Sequence, residues 1–235
     1  MSDIQNLIMN GTGNSSGGLY NKVNVRGDAT ISDNLECNIF KTLGTVDILG
    51  NVKADKFDVY GEAEIRGNIH SEEIKIFGTL AIGGSAHIEK AKIWGTLTVE
   101  DKMKGETADV KGSVIVNGDL EAENFFSNGL FEIKGMLNAD RTEIGLRFGS
   151  SKANEIVGEK ITVKRKSMLI PFQKSNGCLH AQIIEGNEIY LEYTEADLVR
   201  GHSVHIGPGC EIRKVEYHSD FSCSSDSSVK EHHKI

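Results

Sequence analysis

The chain has 235 residues with a formal net charge of −8, and it contains 26 glycines but only two prolines. The negative charge argues against nucleic acid as the main partner, and no apolar run approaches the roughly 18 residues that a membrane span needs. The first residues, MSDIQNLIMNG, have no basic flank and too short an apolar core for a secretory signal, so we expect a cytoplasmic protein.

Residues 1–26 precede the regular part of the chain and match its repeat only loosely. The stretch GLYNKVNVRG at 18–27 restores the register of the repeat with a one-residue slip. Because a solenoid needs atypical terminal turns to cover its core, we predict a degenerate capping turn here. The alternative is a membrane-touching segment, whose apolar residues would be Ile4, Leu7, Ile8 and Met9. No Lys or Arg precedes Lys22 to attract an anionic surface, so capping is favoured.

Residues 27–163 contain an internal repeat of seventeen residues. A glycine closes each unit, at Gly27, Gly44, Gly61, Gly78, Gly95, Gly112 and Gly129. Within a unit the apolar residues fall in pairs spaced by two, which is the period of a β-strand. Three such pairs predict three short strands and three flat faces per turn. A repeat of this kind indicates a solenoid.

The same pattern predicts which side chains form the core. In units 45–61 and 62–78 the inward residues are Val46, Ile48, Val52, Ala54, Phe57 and Val59, followed by Ala63, Ile65, Ile69, Ser71, Ile74 and Ile76. Stacked turns place like residues over one another and enclose one continuous core. The glycines are predicted at the corners, because glycine adopts positive φ and tight turns without a Cβ penalty. The fold class is therefore all-β, a triangular parallel β-helix with 17-residue turns.

Residues 164–179 depart from the repeat in composition, and we predict an inserted loop here. Its basic and apolar residues make it a candidate membrane contact, formed by Lys164, Arg165, Lys166, Met168, Leu169, Ile170 and Phe172. Basic charge and inserted apolar side chains together favour an anionic membrane surface. The alternative is a loop that folds back over the solenoid wall.

Residues 180–217 return to a spacing of two and predict about two further turns of β-helix. The last segment, 218–235, is rich in Ser and charge, and we expect a flexible polar tail. Since neither terminal region shows a helical cap, unpaired strand edges are expected to take up another copy of the chain. The candidate self-assembly residues are Leu19, Tyr20, Val23 and Val25 at one end, and Val204, Ile206, Ile212 and Val215 at the other.

The sequence predicts no catalytic site, no cofactor and no metal. It has no Walker-type phosphate loop, and its Asp and Glu residues are scattered over outward positions rather than paired. His202 and His205 lie near Cys210, but the alternation of the strand leaves His205 outward, and three ligands from one rim are weak evidence for a metal. Cys37 takes an inward position, as a small buried apolar residue would.

A left-handed β-helix acyltransferase of the hexapeptide type is the best enzyme alternative, since it is also a solenoid. Its turn is a multiple of a hexapeptide, whereas the turn here has seventeen residues. We expect no catalytic histidine at a site between turns. We therefore predict a non-enzymatic protein.

The short, glycine-punctuated turns of FDVYGEAEIRGNIHSEEIKIFGTLAIGG (57–84) resemble the bactofilins, which are bacterial polymer-forming cytoskeletal proteins. The stretches at 183–201 and 204–217, which include IGPGCEI, resemble the longer variety found in spore-forming Gram-positive bacteria. The resemblance covers residues 4–217 and implies a right-handed β-helix that polymerises without nucleotide into filaments lacking polarity. It also implies a scaffold, often peripheral at the inner face of the cell membrane, that organises cell shape, wall enzymes or motility through client proteins.

Overall fold

The computed structural model of the chain describes residues 4–147, 149–166 and 176–235. Two compact units divide it, Met1–Gly118 and Asp119–Ile235. In the described ranges the secondary structure consists of strands without a helix, and the strand pairings within each unit are parallel. The predicted fold class, an all-β parallel β-helix, is therefore confirmed, while its right-handed winding stays a prediction. The described residues contain no helix, and therefore no helix that could cross a membrane.

Within its described residues, the first unit contains fifteen strands that stack with the period of the sequence repeat. A residue pairs with the residue seventeen positions later, as in Val46 with Ala63 and Phe57 with Ile74. At the start of the unit the offset is sixteen, since Leu7 pairs with Val23, so the predicted one-residue slip is confirmed. The strands are β1 Asn6–Asn10, β2 Gly13–Ser15, β3 Gly18–Arg26, β4 Asp28–Ile31, β5 Leu35–Thr42, β6 Thr45–Ile48, β7 Val52–Val59, β8 Glu62–Ile65, β9 Ile69–Ile76, β10 Thr79–Ile82, β11 Ala86–Ile93, β12 Thr96–Val99, β13 Met103–Lys104, β14 Thr107–Val110 and β15 Ser113–Val116.

The core of the first unit is formed by the inward residues that the repeat predicts. All twelve residues named for units 45–61 and 62–78 are at most 4% exposed. The rings of Phe40 and Phe57 stack across one turn, with centroids 4.2 Å apart. Each regular turn has one strand of four residues and one of eight rather than three short strands. The longer strand carries two consecutive exposed residues, such as Asp55 and Lys56 in β7, and these divide it into two faces.

The recurring glycine is required by close packing of backbones rather than by positive φ. Of the seven glycines that close the units, Gly27 alone has a φ in the left-handed region within the described residues, at 146°. A Cβ placed on Gly78 would overlap the carbonyl oxygen of Gly61, and the same clash recurs for Gly95 over Gly78. The prediction of glycine at the corners therefore holds, but its physical reason is different: consecutive turns approach too closely there for any side chain.

A ladder of asparagines, which the sequence reasoning missed, fixes another corner. The side-chain Oδ1 of Asn34 accepts a hydrogen bond from the backbone N–H of Asn51 at 2.7 Å, and that of Asn51 accepts one from Asn68 at 2.8 Å. Asn68 continues the ladder to the N–H of Ser85 at 2.8 Å. Each amide therefore satisfies a backbone donor that the bend removes from the strand ladder.

The second unit has longer strands and a less regular period. Its strands are β16 Leu120–Ser127, β17 Leu130–Leu146, β18 Ser150–Arg165, β19 Cys178–Leu191, β20 Thr194–Ile206, β21 Glu211–Cys223 and β22 Ser228–Lys234. The offset falls from 28 residues between β18 and β19 to 15 between β19 and β20. The bounds predicted for the inserted loop, 164–179, were too wide, because β18 continues through Arg165 and β19 begins at Cys178. The extra residues between the two strands interrupt the chain but not the ladder, because β18 and β19 pair from Ser150 with Cys178 through Thr162 with Tyr190.

The prediction for the final segment, 218–235, needs a correction. We expected a flexible tail, but β22 pairs in parallel with β21, from Glu211 with Ser228 to Tyr217 with Lys234. Its side chains are almost all exposed, and this polarity is what the sequence reasoning took as a sign of disorder. Backbone pairing with the preceding turn satisfies the N–H and C=O groups without needing an apolar face.

Candidate assembly surfaces

The first turn of the first unit has a strand neighbour on one side only within the described residues. β1 pairs with β3, and β2 pairs with β4. Leu7 and Met9 lie over Val23 and Val25, while Ile8 points outward and is 63% exposed. The unpaired edge of β1 and β2 therefore presents a row of backbone N–H and C=O groups that can hydrogen-bond a further strand.

This first turn also lacks the charges that usually protect such an edge. Residues 4–21 contain no Asp, Glu, Lys, Arg or His, and they contain no Pro. Leu19 is 57% exposed and Ile4 is 46% exposed, next to uncharged Asn, Ser, Thr and Gly residues. Since natural proteins commonly protect edges with Lys, Pro or inward-pointing charges, this turn is open to pairing with another strand.

The last turn of the second unit is different in chemistry. β22 carries Lys230, Glu231 and Lys234, and β22 pairs with β21 in the described ranges. The ring of Phe221 stacks on His232 at 4.9 Å and on Tyr217 at 5.3 Å between centroids. Phe221 is the register partner of the buried Val204, and the charged side chains of β22 are exposed. The edge of the last turn is therefore better protected than that of the first turn.

An ion cluster reinforces this region of the second unit. Lys214 Nζ lies 2.6 Å from Glu216 Oε1, and Arg200 Nε donates to Glu216 Oε2 at 2.7 Å. The hydrogen bonds from Lys214 and Arg200 lower the pKa of the Glu216 carboxyl to about 2. Arg200 also reaches Glu185 at 3.5 Å, so it links β19, β20 and β21.

In the structure, most of the predicted assembly residues lie inside the stack of turns and not on the terminal turns. Leu19 is exposed, and Tyr20 is half-buried with its hydroxyl donating to the carbonyl oxygen of Gly17 at 3.0 Å. The six valine and isoleucine candidates are at most 2% exposed, which excludes them from an end surface: Val23, Val25, Val204, Ile206, Ile212 and Val215. At one end β1 covers β3, and at the other β21 and β22 cover β20 and β21, so these residues lie at least one turn inside. Their assignment to the end rungs was wrong.

Of the predicted membrane residues, only the basic ones lie in described segments, and two of these contact the solenoid. The guanidinium carbon of Arg165 lies 3.0 Å from the centroid of the Tyr193 ring, and its Nη2 donates to the carbonyl oxygen of Gly177 at 3.1 Å. Lys164 Nζ lies 5.2 Å from the centroid of the Tyr190 ring. The apolar candidates lie outside the described residues: Met168, Leu169, Ile170 and Phe172. Arg165 is thus part of the wall, whereas Lys166 is exposed.

A column of exposed aromatic rings was also missed, although its signal is the same seventeen-residue spacing. Tyr60, Phe77 and Trp94 stack on successive turns with centroids 4.9 and 4.7 Å apart. Lys41 lies over the Tyr60 end of the column at 4.6 Å, and Lys111 over the Trp94 end at 5.2 Å. Because the ring faces contact one another and the two ammonium groups, the column presents ring edges to solvent as a narrow apolar ridge.

The histidine and cysteine residues considered for a metal do not converge. His205 is exposed, and its Nδ1 lies 2.7 Å from Ser222 Oγ. Cys210 is buried, and burial raises the pKa of its thiol. Among the described residues no group of three or more His, Cys, Asp or Glu side chains has the geometry to hold a metal ion. Cys37 is buried as predicted, and burial raises the pKa of its thiol to about 12.

Comparison with known proteins gives relatives but no function. No family model matches the chain, and no solved structure matches it. Two proteins of Bacillus subtilis (strain 168), both named as uncharacterized, are similar to it. YhbF is 44% identical over 101 residues, which are 43% of this chain and 42% of YhbF. YhbE is 42% identical over 106 residues, which are 44% of this chain and 45% of YhbE, so the match spans less than half of each relative.

Proposed function

We propose that this protein is a non-enzymatic scaffold, similar to the bactofilins, that self-assembles end to end without nucleotide. The observation that carries the proposal is the first turn, where uncharged strands have a neighbour on one side only in the described part of the chain. A strand edge of this kind takes up a further strand by main-chain hydrogen bonds. A second copy of the same chain offers an edge of matching shape and chemistry.

The side chains of the first turn add an apolar contribution to this pairing. Leu7 is half-buried, because it is covered by Val23 on one side only. A second copy stacked on β1 would bury Leu7 as completely as the turns inside, where Val23 is 0% exposed. Complete burial of an exposed leucine contributes about 1.5–3 kcal/mol, so burying the remaining half of Leu7 contributes roughly 1 kcal/mol. A few residues of this kind, together with a paired strand, support association without an energy source such as a nucleotide.

The observed period supports this proposal over the acyltransferase alternative. Residues of the first unit pair at an offset of seventeen through β4–β12, as in Ala29 with Val46 and Ile65 with Ile82. Hexapeptide repeats demand a turn that is a multiple of six. The shorter, regular turn favours a structural solenoid whose wall carries few inserted loops.

We further propose that the assembled scaffold is cytoplasmic and lies against an anionic membrane, where it organises client proteins of cell shape, the wall or motility. The exposed Lys166 and the basic and apolar composition of residues 164–177 support this contact. Since Arg165 is engaged with Tyr193, fewer free charges remain than the sequence suggests. A single segment therefore binds weakly, and a filament binds strongly because its many segments act together.

Co-sedimentation with anionic vesicles tests the membrane part of the proposal. Assembled protein should sediment with vesicles, and high salt should release it because screening weakens the basic contacts. Replacement of Leu169, Ile170 and Phe172 by Ser should remove binding while the thermal unfolding midpoint stays unchanged. Binding that persists while the midpoint falls would show that the segment packs on the wall.

Sedimentation velocity of three matched variants tests the assembly itself. Leu7→Lys places a charge on the first turn, Val229→Lys places one on the last turn, and Thr98→Lys places one on an outward position inside the first unit. Without nucleotide, the parent and Thr98→Lys should form large species. Leu7→Lys should shift the protein to small species, because like charges would face each other across the pairing edge. Equal size distributions for all three variants would refute assembly through the terminal turns.

A further inference from the structure

Three side chains of the second unit form a chain of contacts that the scaffold function does not use. Cys178 and His180 are alternate residues of β19, so they project from the same face, and Glu195 on β20 is the register partner of His180. Cys178 Sγ lies 3.3 Å from His180 Nε2, and His180 Nδ1 lies 3.0 Å from Glu195 Oε2. Both ring nitrogens of one histidine are thus engaged, one by a thiol and one by a carboxylate.

This arrangement is that of a nucleophile, a base and a group that orients the base. The Glu195 carboxylate accepts the Nδ1–H, which leaves the Nε2 lone pair directed at the thiol. When His180 takes the thiol proton, the positive charge of the resulting imidazolium is balanced by the Glu195 carboxylate. Ser150 Oγ lies 3.1 Å from Cys178 Sγ, and its hydroxyl can donate to the thiolate. The sulfur therefore has two hydrogen-bond donors in its charged form.

The other cysteines lack this environment. Cys37 and Cys210 are buried. Cys223 is exposed, but the contact that its Sγ makes is with the carbonyl oxygen of Ser224, at 3.5 Å. Cys178 is half-buried and has a histidine in hydrogen-bonding distance, so it combines access with a base. Reactive cysteines are found in such partly exposed sites beside a basic group.

A groove next to this site indicates what it accepts. The groove has a volume of about 780 Å³ and is lined by His180 and Glu195. Its walls carry charges of both signs, including Lys152 and Arg213 together with Glu211. Its lining also includes the apolar residues Ala153, Ala181, Ala196, Ile133 and Ile212. Charges of both signs beside apolar residues match a small molecule that carries both ammonium and carboxylate groups.

The backbone around the thiol favours reaction at sulfur over acyl transfer. The N–H of Cys178 donates to the carbonyl oxygen of Gly149 at 3.1 Å, and the N–H of Leu179 donates to that of Tyr193 at 3.1 Å. Neither is available to stabilise an oxyanion, which acyl transfer would require. Exchange between a thiol and a disulfide passes through no oxyanion, so the same side chains are sufficient for it.

We propose that Cys178 is the nucleophile of a thiol–disulfide exchange site for small zwitterionic disulfides. Cys178 Sγ attacks one sulfur of the disulfide while His180 takes the thiol proton. The new sulfur–sulfur bond to Cys178 forms as the old one breaks, and the leaving thiolate receives the proton from His180. One thiol and one disulfide become one mixed disulfide and one thiol, so no external oxidant is consumed. Glu195 is a positioning residue for the imidazole.

Peptide-mapping mass spectrometry of the full chain with cystine as the probe tests this site. Modification of Cys178 should be at least about tenfold faster than that of Cys223, because general-base assistance commonly contributes about 10² or more. His180→Gln should remove this advantage, and Glu195→Gln should reduce it. Glu188→Gln, a change at an exposed position further along the same strand and outside the groove, should leave the rate unchanged.

A second probe, the uncharged bis(2-hydroxyethyl) disulfide, distinguishes the general reactivity of Cys178 from a preference of its site for zwitterionic disulfides. The ratio of the cystine rate to the rate with this probe should be higher at Cys178 than at Cys223. Equal rates at the two cysteines, or a Cys178 rate unaffected by His180→Gln in a variant whose circular dichroism matches the parent, would overturn the proposal. Equal probe ratios at the two sites would overturn the assignment of a zwitterionic substrate.

Discussion

Replacing Ile82 by Asp tests the core of the first unit most severely. Ile82 is 1% exposed and lies between Ile65 and Val99 on the adjacent turns. Removing the apolar side chain costs about 2–5 kcal/mol, by analogy with other large-to-small changes. A fully buried carboxyl shifts its pKa upward by about 3–5 units, so the folded state must protonate a group that titrates near 3.9 when unfolded, which adds about 4 kcal/mol at pH 7. The sum is comparable to the whole stability of a typical domain.

The assay is thermal and urea unfolding followed by circular dichroism, with Thr98→Asp as the control. Thr98 faces outward between Ala81 and Ile115, so the control adds the same charge without burying it. Burial raises the pKa of the new carboxyl in the folded state above its unfolded value near 3.9. The folded state then binds more protons between the two values, and stability falls as the pH rises through that range. The deficit of Ile82→Asp should therefore be smaller at pH 4 than at pH 7. A deficit below about 1 kcal/mol relative to Thr98→Asp at pH 7 would refute the inward assignment.

Three further predictions concern the wall of the solenoid. Gly78→Ala should lower stability by more than about 2 kcal/mol in urea unfolding, because its Cβ would overlap the carbonyl oxygen of Gly61; a neutral result would contradict the close approach of the turns. Asn51→Ala should cost about 0.5–1.5 kcal/mol by the same assay, since the exposed N–H of Asn68 exchanges its side-chain acceptor for water. Because Glu216 has a depressed pKa, its stabilising contribution is present above its unfolded pKa near 4.5 and is lost as the pH falls towards 2. Glu216→Gln should thus lose less of its thermal midpoint over this range than the parent does, and parallel profiles would contradict it.

The sequence period was sufficient to predict the inward residues because a strand alternates strictly and the turns stack in register. Ile48, Ile65, Ile82 and Val99 occupy one column, as a spacing of seventeen requires. The reason for the glycines could not be predicted in the same way. A sequence shows where a side chain is missing, whereas the clash between neighbouring turns depends on how closely their carbonyl groups approach.

The asparagine ladder and the aromatic column were predictable in principle. Asn34, Asn51 and Asn68 share one position of the repeat, just as Tyr60, Phe77 and Trp94 share another. An analysis that follows only apolar inward positions overlooks them, because the first group is polar and the second faces outward. Outward identities carry information in a stacked fold, since like side chains contact one another on successive turns.

The position of the terminal turns could not be read from apolar residues alone. Val215 marks the last strongly apolar pair in the sequence, yet β22 adds a turn with exposed, charged side chains. Likewise the Cys178 site depends on the pairing of β19 with β20 across an irregular offset of fifteen, which no constant period predicts. Backbone pairing, rather than composition, determines both features.

Negative-stain electron microscopy of the purified full chain without added nucleotide tests the central claim most directly. The parent protein should form filaments, and Leu7→Lys should give short particles with an unchanged circular dichroism spectrum. Monodisperse particles of the parent protein, for example compact trimers across a range of concentrations, would contradict assembly through the terminal turns.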